Sequence, residues 1–315
     1  MMAIVITGCL GFIGSQITRD CLEQGHRVCG IDKISYAANS RLLPEFLQNR
    51  NFMFQQIDIC DMQNLPDCDY VINTAAETHV GNSIIDSSEF IRSNILGVQN
   101  LLDLIRKKPA NVATRPILLH LSTDEVYGDI VEGCHHEADH LNPSNPYSAS
   151  KAAADLMIKS WARTYGIEYI IVRPTNNYGM YQYPEKLIPL SVKLLQRGKK
   201  IRLHNEGNPI RTWLHVKDTS SAIFKIIENG NKNEIYNISG GFEQKNIDTV
   251  EKIIKAFDTK IKLEDHINLD FKREGQDVRY SLDDNKLRRL GWKPNMKFDQ
   301  EINKIVDFYK ENFRW

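Results

Sequence analysis

The sequence has no surplus of charge of either sign: 40 Lys and Arg balance 40 Asp and Glu among 315 residues. A neutral chain offers no basic field for binding that rests on many phosphate-backbone contacts, which excludes nucleic acid as an expected partner. No segment approaches the roughly 18 uninterrupted apolar residues of a membrane span, so a membrane is excluded on the same footing. The opening residues lack the basic start and long apolar run of a secretory leader, and a cytoplasmic protein is expected. Cysteines are scarce, and the six present (Cys9, Cys21, Cys29, Cys60, Cys68 and Cys134) form no C-x-x-C pair. Free thiols packed as small apolar groups are therefore expected, not a disulfide framework. No internal repeat or low-complexity tract breaks the chain.

What remains is an ordinary globular composition, 42% hydrophobic and 25% charged, with length enough for two domains or one large α/β unit. Short β-rich runs at 3–7, 27–31, 52–57, 70–74, 117–121 and 168–172 alternate with helical patterns. Several runs are continuously apolar, as strands buried on both faces must be, and the spacers are long enough for crossover helices. The predicted fold is α/β: a Rossmann-type doubly wound parallel sheet followed by a smaller, mixed α/β C-terminal domain. The expected division is 1–175, with 212–240 returning to it, and 176–315. Further helices are expected at 83–105, 149–161, 185–197, 218–228, 247–257 and from Phe298, a strand at 213–216, and a helix stop at Gly291 before Pro294.

Directly after the first strand stands Gly8-Cys9-Leu10-Gly11-Phe12-Ile13-Gly14, a G-x-x-G-x-x-G turn. Glycines at this spacing let the backbone approach a pyrophosphate, and the helix beginning there aims free N–H groups at it. The next apolar run ends in Asp32, 18 residues past Gly14. A carboxylate there accepts from adenosine ribose hydroxyls and repels a 2′-phosphate, which favours NAD over NADP. Asp58 and Ile59 close the third strand, where an adenine would be met.

Tyr147 and Lys151 share one helix face at i, i+4 spacing. A phenol with a pKa near 10 is a poor base at neutral pH, and the expectation is that the nearby cation lowers it. Just upstream, Thr123, Asp124 and Glu125 follow the fifth strand, where open α/β sheets bind ligands. Two adjacent carboxylates there can divide acid and base work if their environments separate their pKa values.

This set of motifs resembles the extended short-chain dehydrogenase/reductases, and more narrowly the nucleotide-diphosphate-glucose 4,6-dehydratases typified by the dTDP-glucose enzyme. The resemblance runs essentially end to end, through segments such as Ala75-Ala76-Glu77-Thr78-His79-Val80, Asn176-Asn177-Tyr178-Gly179 and Tyr183-Pro184-Glu185-Lys186-Leu187-Ile188-Pro189. It implies that Tyr147 deprotonates the C4 hydroxyl of a glucosyl group as bound NAD takes the hydride. Glu125 then removes the C5 proton, Asp124 protonates the departing C6 hydroxyl, and the hydride returns to C6. Thr123 and Lys151 would assist. Implied cofactor contacts are Gly8, Gly11, Phe12, Ile13, Gly14, Asp32, Lys33, Ser35, Asp58, Ile59, Ala75, Ala76, Ser93, Tyr147, Lys151 and Asn177. Implied contacts to dTDP-glucose or UDP-glucose are Thr78, Thr123, Asn176, Lys186, Leu187, Arg211 and Asn246, and a homodimer is implied.

The chain departs from the family pattern at Gly81 and Asn82, where Asp-Arg is usual, at Met180, and at Lys272 to Asp277, where DRPGHD is usual. The last leaves open which nucleotide is recognised. A 4-epimerase or a glucuronate decarboxylase would share the glycine turn and the Tyr147/Lys151 pair, and a non-catalytic NAD sensor the turn alone. Cys134, His135, His136, Glu137, Asp139 and His140 supply metal-ligand types but lack paired zinc spacing, so no metal is expected.

Overall fold

A computed structural model describes residues 1–108, 115–258, 260, 262–271 and 277–313. Its strands are β1 (Ala3–Thr7), β2 (Arg27–Asp32), β3 (Phe52–Gln56), β4 (Tyr70–Asn73), β5 (Ile117–Leu121), β6 (Tyr169–Pro174), β7 (Asn176–Tyr178), β8 (Ile201–His204), β9 (Ile210–His215), β10 (Glu234–Ile238), β11 (Phe242–Lys245) and β12 (Ile267–Phe271). Seven of them form one parallel sheet in the order β10-β6-β5-β4-β1-β2-β3. Two smaller sheets, β11-β9-β7 and β12-β8, lie in the C-terminal half.

Alternation along each strand divides the core between two faces. Ile4, Ile6, Leu119, Ile170 and Val172 pack with Ile17, Cys21 and Ile223, which helices Phe12–Glu23 and Val216–Asn229 supply. Val5, Val71, Leu118 and Ile171 pack with Leu101, Ile105, Ala154 and Ile158 of helices Gly97–Lys107 and Pro146–Tyr165. A third core joins Val192, Trp213, Ile253 and Ile305 of the C-terminal elements. All six cysteines are free thiols, and Cys9 and Cys21 are core residues. No described helix is long and apolar enough to cross a membrane.

The continuous helix expected over 83–105 is broken. It appears as Val80–Ile85, Ser88–Ile91, a wide π turn Arg92–Leu96, and Gly97–Lys107. The Asp86 carboxylate accepts from the Ser88 amide at 2.9 Å and stops the first piece, as a short acidic side chain does when it outcompetes helical bonding. The π turn places Ser93 and Asn94 inside. The strand expected at 213–216 begins earlier, at Ile210, and Val216 already opens a helix. Gly291 takes a left-handed φ of 87°, though the helix before it ends at Arg288.

One ion pair is sealed in the fold: Arg173 of β6 meets Asp155 at 2.9–3.0 Å, and Asp155 also accepts from the Ser122 hydroxyl. Removing one partner leaves an uncompensated buried charge. We expect Arg173→Met to cost about 3–5 kcal/mol in urea denaturation. Lys232→Met, at an exposed pair with Glu168, should cost under about 1 kcal/mol.

Candidate active site

The carboxyl ends of β1, β2, β4, β5 and β6 open on a single cleft of about 290 Å³. On one flank the chain turns at Gly8, whose φ of +70° suits glycine, and enters helix Phe12–Glu23. A Cβ on Gly14 would stand 2.1 Å from the Gly8 carbonyl oxygen and 2.5 Å from Thr74 Oγ1, so nothing larger than glycine fits. No side chain caps the first turn of that helix, which leaves its N–H groups directed at the cleft end. Asp32 stands opposite. Its carboxylate accepts from the amides of Leu10 at 3.0 Å and Ile34 at 2.8 Å, tying the glycine turn to β2.

All the residues that the sequence singled out for the cofactor line this cleft: Gly8, Gly11, Phe12, Ile13, Gly14, Asp32, Lys33, Ser35, Asp58, Ile59, Ala75, Ala76, Ser93, Tyr147, Lys151 and Asn177. Lys33 is engaged by Glu77 at 3.3 Å and Ser93 at 3.3 Å, with Asp58 and Glu89 just beyond.

On the other flank lie Thr123, Asp124, Glu125, Tyr147 and Lys151. Asn145 caps the Pro146–Tyr165 helix by accepting from the Ser148 amide, and its side-chain amide donates to Glu125 at 3.5 Å. The Tyr147 amide donates to Ser83 Oγ at 3.2 Å, which holds the first turn of that helix against the Val80–Ile85 helix. Asp124 is only 2% exposed, and its Oδ1 accepts from the Thr123 hydroxyl at 3.0 Å. Its Oδ2, like Asn176 Oδ1 across the cleft, is buried with no hydrogen-bond partner among the described residues. Burial, with the Glu125 charge beside it, pushes the Asp124 carboxyl up to about 7. Glu125 is also raised by burial, while the Arg211 cation opposes the rise.

The structure corrects one electrostatic expectation. The Tyr147 phenol is raised, not lowered: burial and the charges of Glu125 and Asp124 outweigh its hydrogen bond with Thr123. Lys151 instead donates to the Leu121 carbonyl at 2.6 Å, and burial lowers its ammonium to about 8.

Of the substrate candidates, Thr78, Thr123, Asn176 and Lys186 line the cleft, and Lys186 donates to the Thr78 carbonyl at 2.9 Å. Leu187, Arg211 and Asn246 are not among the lining residues. Leu187 packs on the C-terminal core, and Asn246 opens helix Asn246–Phe257. Arg211 bonds the Asp277 carbonyl and lies over the Tyr280 ring, but its charge still reaches both Asp124 and Glu125. Residues 272–276 lie outside the described residues. Asn82, at the Gly81-Asn82 departure, bonds Tyr36, whose hydroxyl donates to Glu185 at 3.2 Å. Met180 packs against the C-terminal core.

Glu77, Gln182, Tyr183 and Glu185 also line the cleft but were not singled out. Leu121, Ser122, Pro174 and Thr175 do too, and the rule that ligands meet parallel strands at their carboxyl ends would have found these four.

Cys134, His136 and Asp283 bring possible ligand atoms within 4.8 Å of one another. Asp283 already accepts from the Asn285 amide and side chain, and burial raises the Cys134 thiol, which disfavours the thiolate a metal needs.

The Asp124 value carries a stability consequence. Its carboxyl titrates near 7 when folded and near 3.8 when exposed, so between these values the folded chain keeps a proton that the unfolded chain has lost. Stability therefore falls as pH rises through this window. Asp124→Asn should match the parent near pH 4 and exceed it at pH 8, by on the order of 4 kcal/mol in urea denaturation.

The family model described as GDP-mannose 4,6 dehydratase matches residues 5–305. A dTDP-glucose 4,6-dehydratase of Streptomyces niveus is 39% identical over 328 residues, covering 100% of this chain and 94% of that protein. Its counterpart in Neisseria meningitidis serogroup B is 38% identical over 337 residues, covering 100% and 95%. The crystal structure of DesIV, a dTDP-glucose 4,6-dehydratase of Streptomyces venezuelae with NAD bound, superposes with a TM-score of 0.93 at 35% identity, covering 99% of this chain and 98% of that one. With this likeness over its whole length, and with the glycine turn, the Thr123-Asp124-Glu125 corner and the Tyr147/Lys151 pair gathered on one cleft, the chain belongs to the dTDP-glucose 4,6-dehydratase family of the extended short-chain dehydrogenase/reductases.

Proposed function

We propose that this protein is an NAD-dependent hydro-lyase that converts dTDP-glucose, or UDP-glucose, to the 4-keto-6-deoxy sugar nucleotide and water. The observation that carries the proposal is the meeting, on one cleft wall, of a buried phenol and two carboxylates, one of which keeps its proton near neutrality. The glycine-only space at Gly14, the uncapped helix start and the Asp32 carboxylate fit a dinucleotide with a free ribose 2′-hydroxyl. Bound there, NAD+ would supply the hydride acceptor for C4 and, once reduced, the donor for C6.

The chain's own groups would move the protons. Tyr147 would take the proton of the C4 hydroxyl, with Thr123, whose hydrogen bond favours the phenolate, holding the C4 oxygen. The C4 ketone acidifies C5, whose proton Glu125 would remove. Asp124, whose carboxyl is raised by burial to about 7, would deliver its proton to the C6 hydroxyl, which leaves as water, and Glu125 would return its proton to C5 as C6 is reduced. Burial thus gives Asp124 the proton that an ordinary aspartate would have lost. Asn176, with an unpartnered buried oxygen, and Lys186 would contact the sugar nucleotide.

We further propose that residues 1–175, with 212–240, form the dinucleotide unit and that 176–315 serve mainly the sugar nucleotide. β10 joins the large sheet beside β6, which supports that return. A cytoplasmic homodimer is also proposed. Its support is the exposed apolar set Ile84, Ile85, Ile91, Leu96 and Leu156 on the packed elements over 80–107 and 146–165.

Incubating the purified protein with dTDP-glucose and UDP-glucose should yield a product lighter by one water, and an isobaric product would identify an epimerase instead. Tyr147→Phe should lower kcat about 100- to 10,000-fold. Asp124→Asn should still form the 4-keto hexose nucleotide, seen by mass as the loss of two hydrogens, but should stall before water leaves; loss of both steps to the same extent would refute the division of labour. Leu156→Lys combined with Ile85→Lys should convert a dimer to a monomer in light scattering.

A further inference from the structure

Between β7 and the helix Leu187–Gln196 the segment 179–186 delivers Gln182, Tyr183, Glu185 and Lys186 to the cleft wall. Within it Tyr181 has a φ of +67°. That left-handed backbone suits glycine and is an outlier for a bulky aromatic residue, so it persists only where surrounding contacts impose it. The contacts come from one helix, Phe298–Glu311, and from its neighbour in space. The Tyr181 ring is seated against Phe308, with centroids 4.8 Å apart, and the Arg19 guanidinium lies 5.4 Å from the ring centre. Tyr309, the next residue of the helix, holds the backbone on either side.

Tyr309 is 0% exposed. Its hydroxyl accepts from the Gln182 amide at 2.7 Å and turns its one proton to the Gly179 carbonyl at 3.0 Å, with the Gln182 carbonyl at 3.1 Å. Burial raises the phenol, so that proton stays in place. The residues it bonds bracket Tyr181. From Gln182 the order passes to the cleft, because its side-chain amide donates to the Asn177 carbonyl at 3.0 Å. Farther along, the Tyr183 ring meets the Tyr36 ring edge-on at 5.2 Å, Glu185 accepts from the Tyr36 hydroxyl, and Lys186 donates to the Thr78 carbonyl. Tyr36 and Thr78 belong to the loops after β2 and β4, so the segment spans the cleft from one side to the other. Neither Tyr181 nor Tyr309 lines the cleft itself.

We propose that Tyr309 is a positioning residue for ligand binding: its hydroxyl, buried on the closing helix and outside the cleft, clamps the backbone around the left-handed Tyr181 and so sets Gln182, Tyr183 and Lys186 where they close on the sugar nucleotide. The proposal rests on the reading of this cleft as the sugar-nucleotide site. Asp124, Glu125 and Tyr147 stand on other elements, so affinity, and not the chemical steps, depends on the clamp.

Tyr309→Phe deletes the hydroxyl, keeps the ring and leaves a buried amide unpaired. The dissociation constant of dTDP or UDP, whichever the parent binds more tightly, should rise about tenfold by calorimetry, with KM for the matching glucose nucleotide rising in step and kcat held within about threefold. Hydrogen exchange of the NAD-loaded variant, read by mass spectrometry, should quicken over 179–186 and stay unchanged in peptides of the large sheet. Tyr181→Ala removes the ring from its seat without touching the closing helix and should weaken nucleotide binding in the same direction. Unchanged affinity in folded Tyr309→Phe, or in Tyr181→Ala where the first variant does not fold, overturns the proposal. A fall in kcat at constant KM, or exchange quickened along the whole chain, overturns it equally. Exchange and affinity need no turnover, so a parent protein that binds nucleotide without dehydrating its sugar would defeat the dehydratase reading while these two measurements still decide the role of Tyr309.

Discussion

Parallel pairing governs where polarity can be placed in this molecule. Five-residue strands such as β5 and the six-residue β6 are buried along their whole length, and helices cover both faces of the sheet. Polar groups are tolerated there only where the strands end and a partner is within reach. Thr7, Asp32, Asn73 and Ser122 all stand at such carboxyl ends or one residue beyond, each hydrogen-bonded. The cleft is thus the one edge at which an otherwise apolar sheet carries its chemistry, and the direction of the strands selects that edge.

Burial then sets the acid–base character of the groups gathered there. Asp124 and Glu125 are sequence neighbours of the same type, yet Asp124 is 2% exposed and shares its oxygen with Thr123, while the half-buried Glu125 is opposed by Arg211. The low-dielectric surroundings that raise Asp124 also raise the Tyr147 phenol, so burial in the cleft favours protons on both. Lys151 responds in the opposite sense because its charged form is the protonated one. One physical cause accounts for all three directions.

Much of the fold was legible in the residues. Continuous apolar runs announced the parallel strands, and the Gly8-Gly11-Gly14 turn with Asp32 marked one end of the cleft. The broken helix over 80–107 was not legible, because Asp86 competes locally for backbone bonds and the π turn at Arg92–Leu96 serves contacts made far away: Asn94 reaches Glu77 and Ser150. The pairing of Tyr147 with Lys151 could be counted along a helix, but the sign of the phenol's shift could not, since it follows from burial, to which the charges of Glu125 and Asp124 add. Arg211 acts on the carboxylates through its field while its side chain is spent on Asp277 and Tyr280.

Spacing and residue type announced the α/β class, the succession of strands along the chain, the glycine turn with its acidic partner, and a phenol, an ammonium and two carboxylates that line the same cleft. Tertiary structure decided which of these groups hold their protons, which cation faces which anion, and that the Tyr309 hydroxyl of the last helix reaches the turn beside the cleft. Periodicity is a local property and survives in the linear order, whereas a proton's affinity depends on the dielectric and the neighbours around it. Those come together only when strands separated by tens of residues lie side by side.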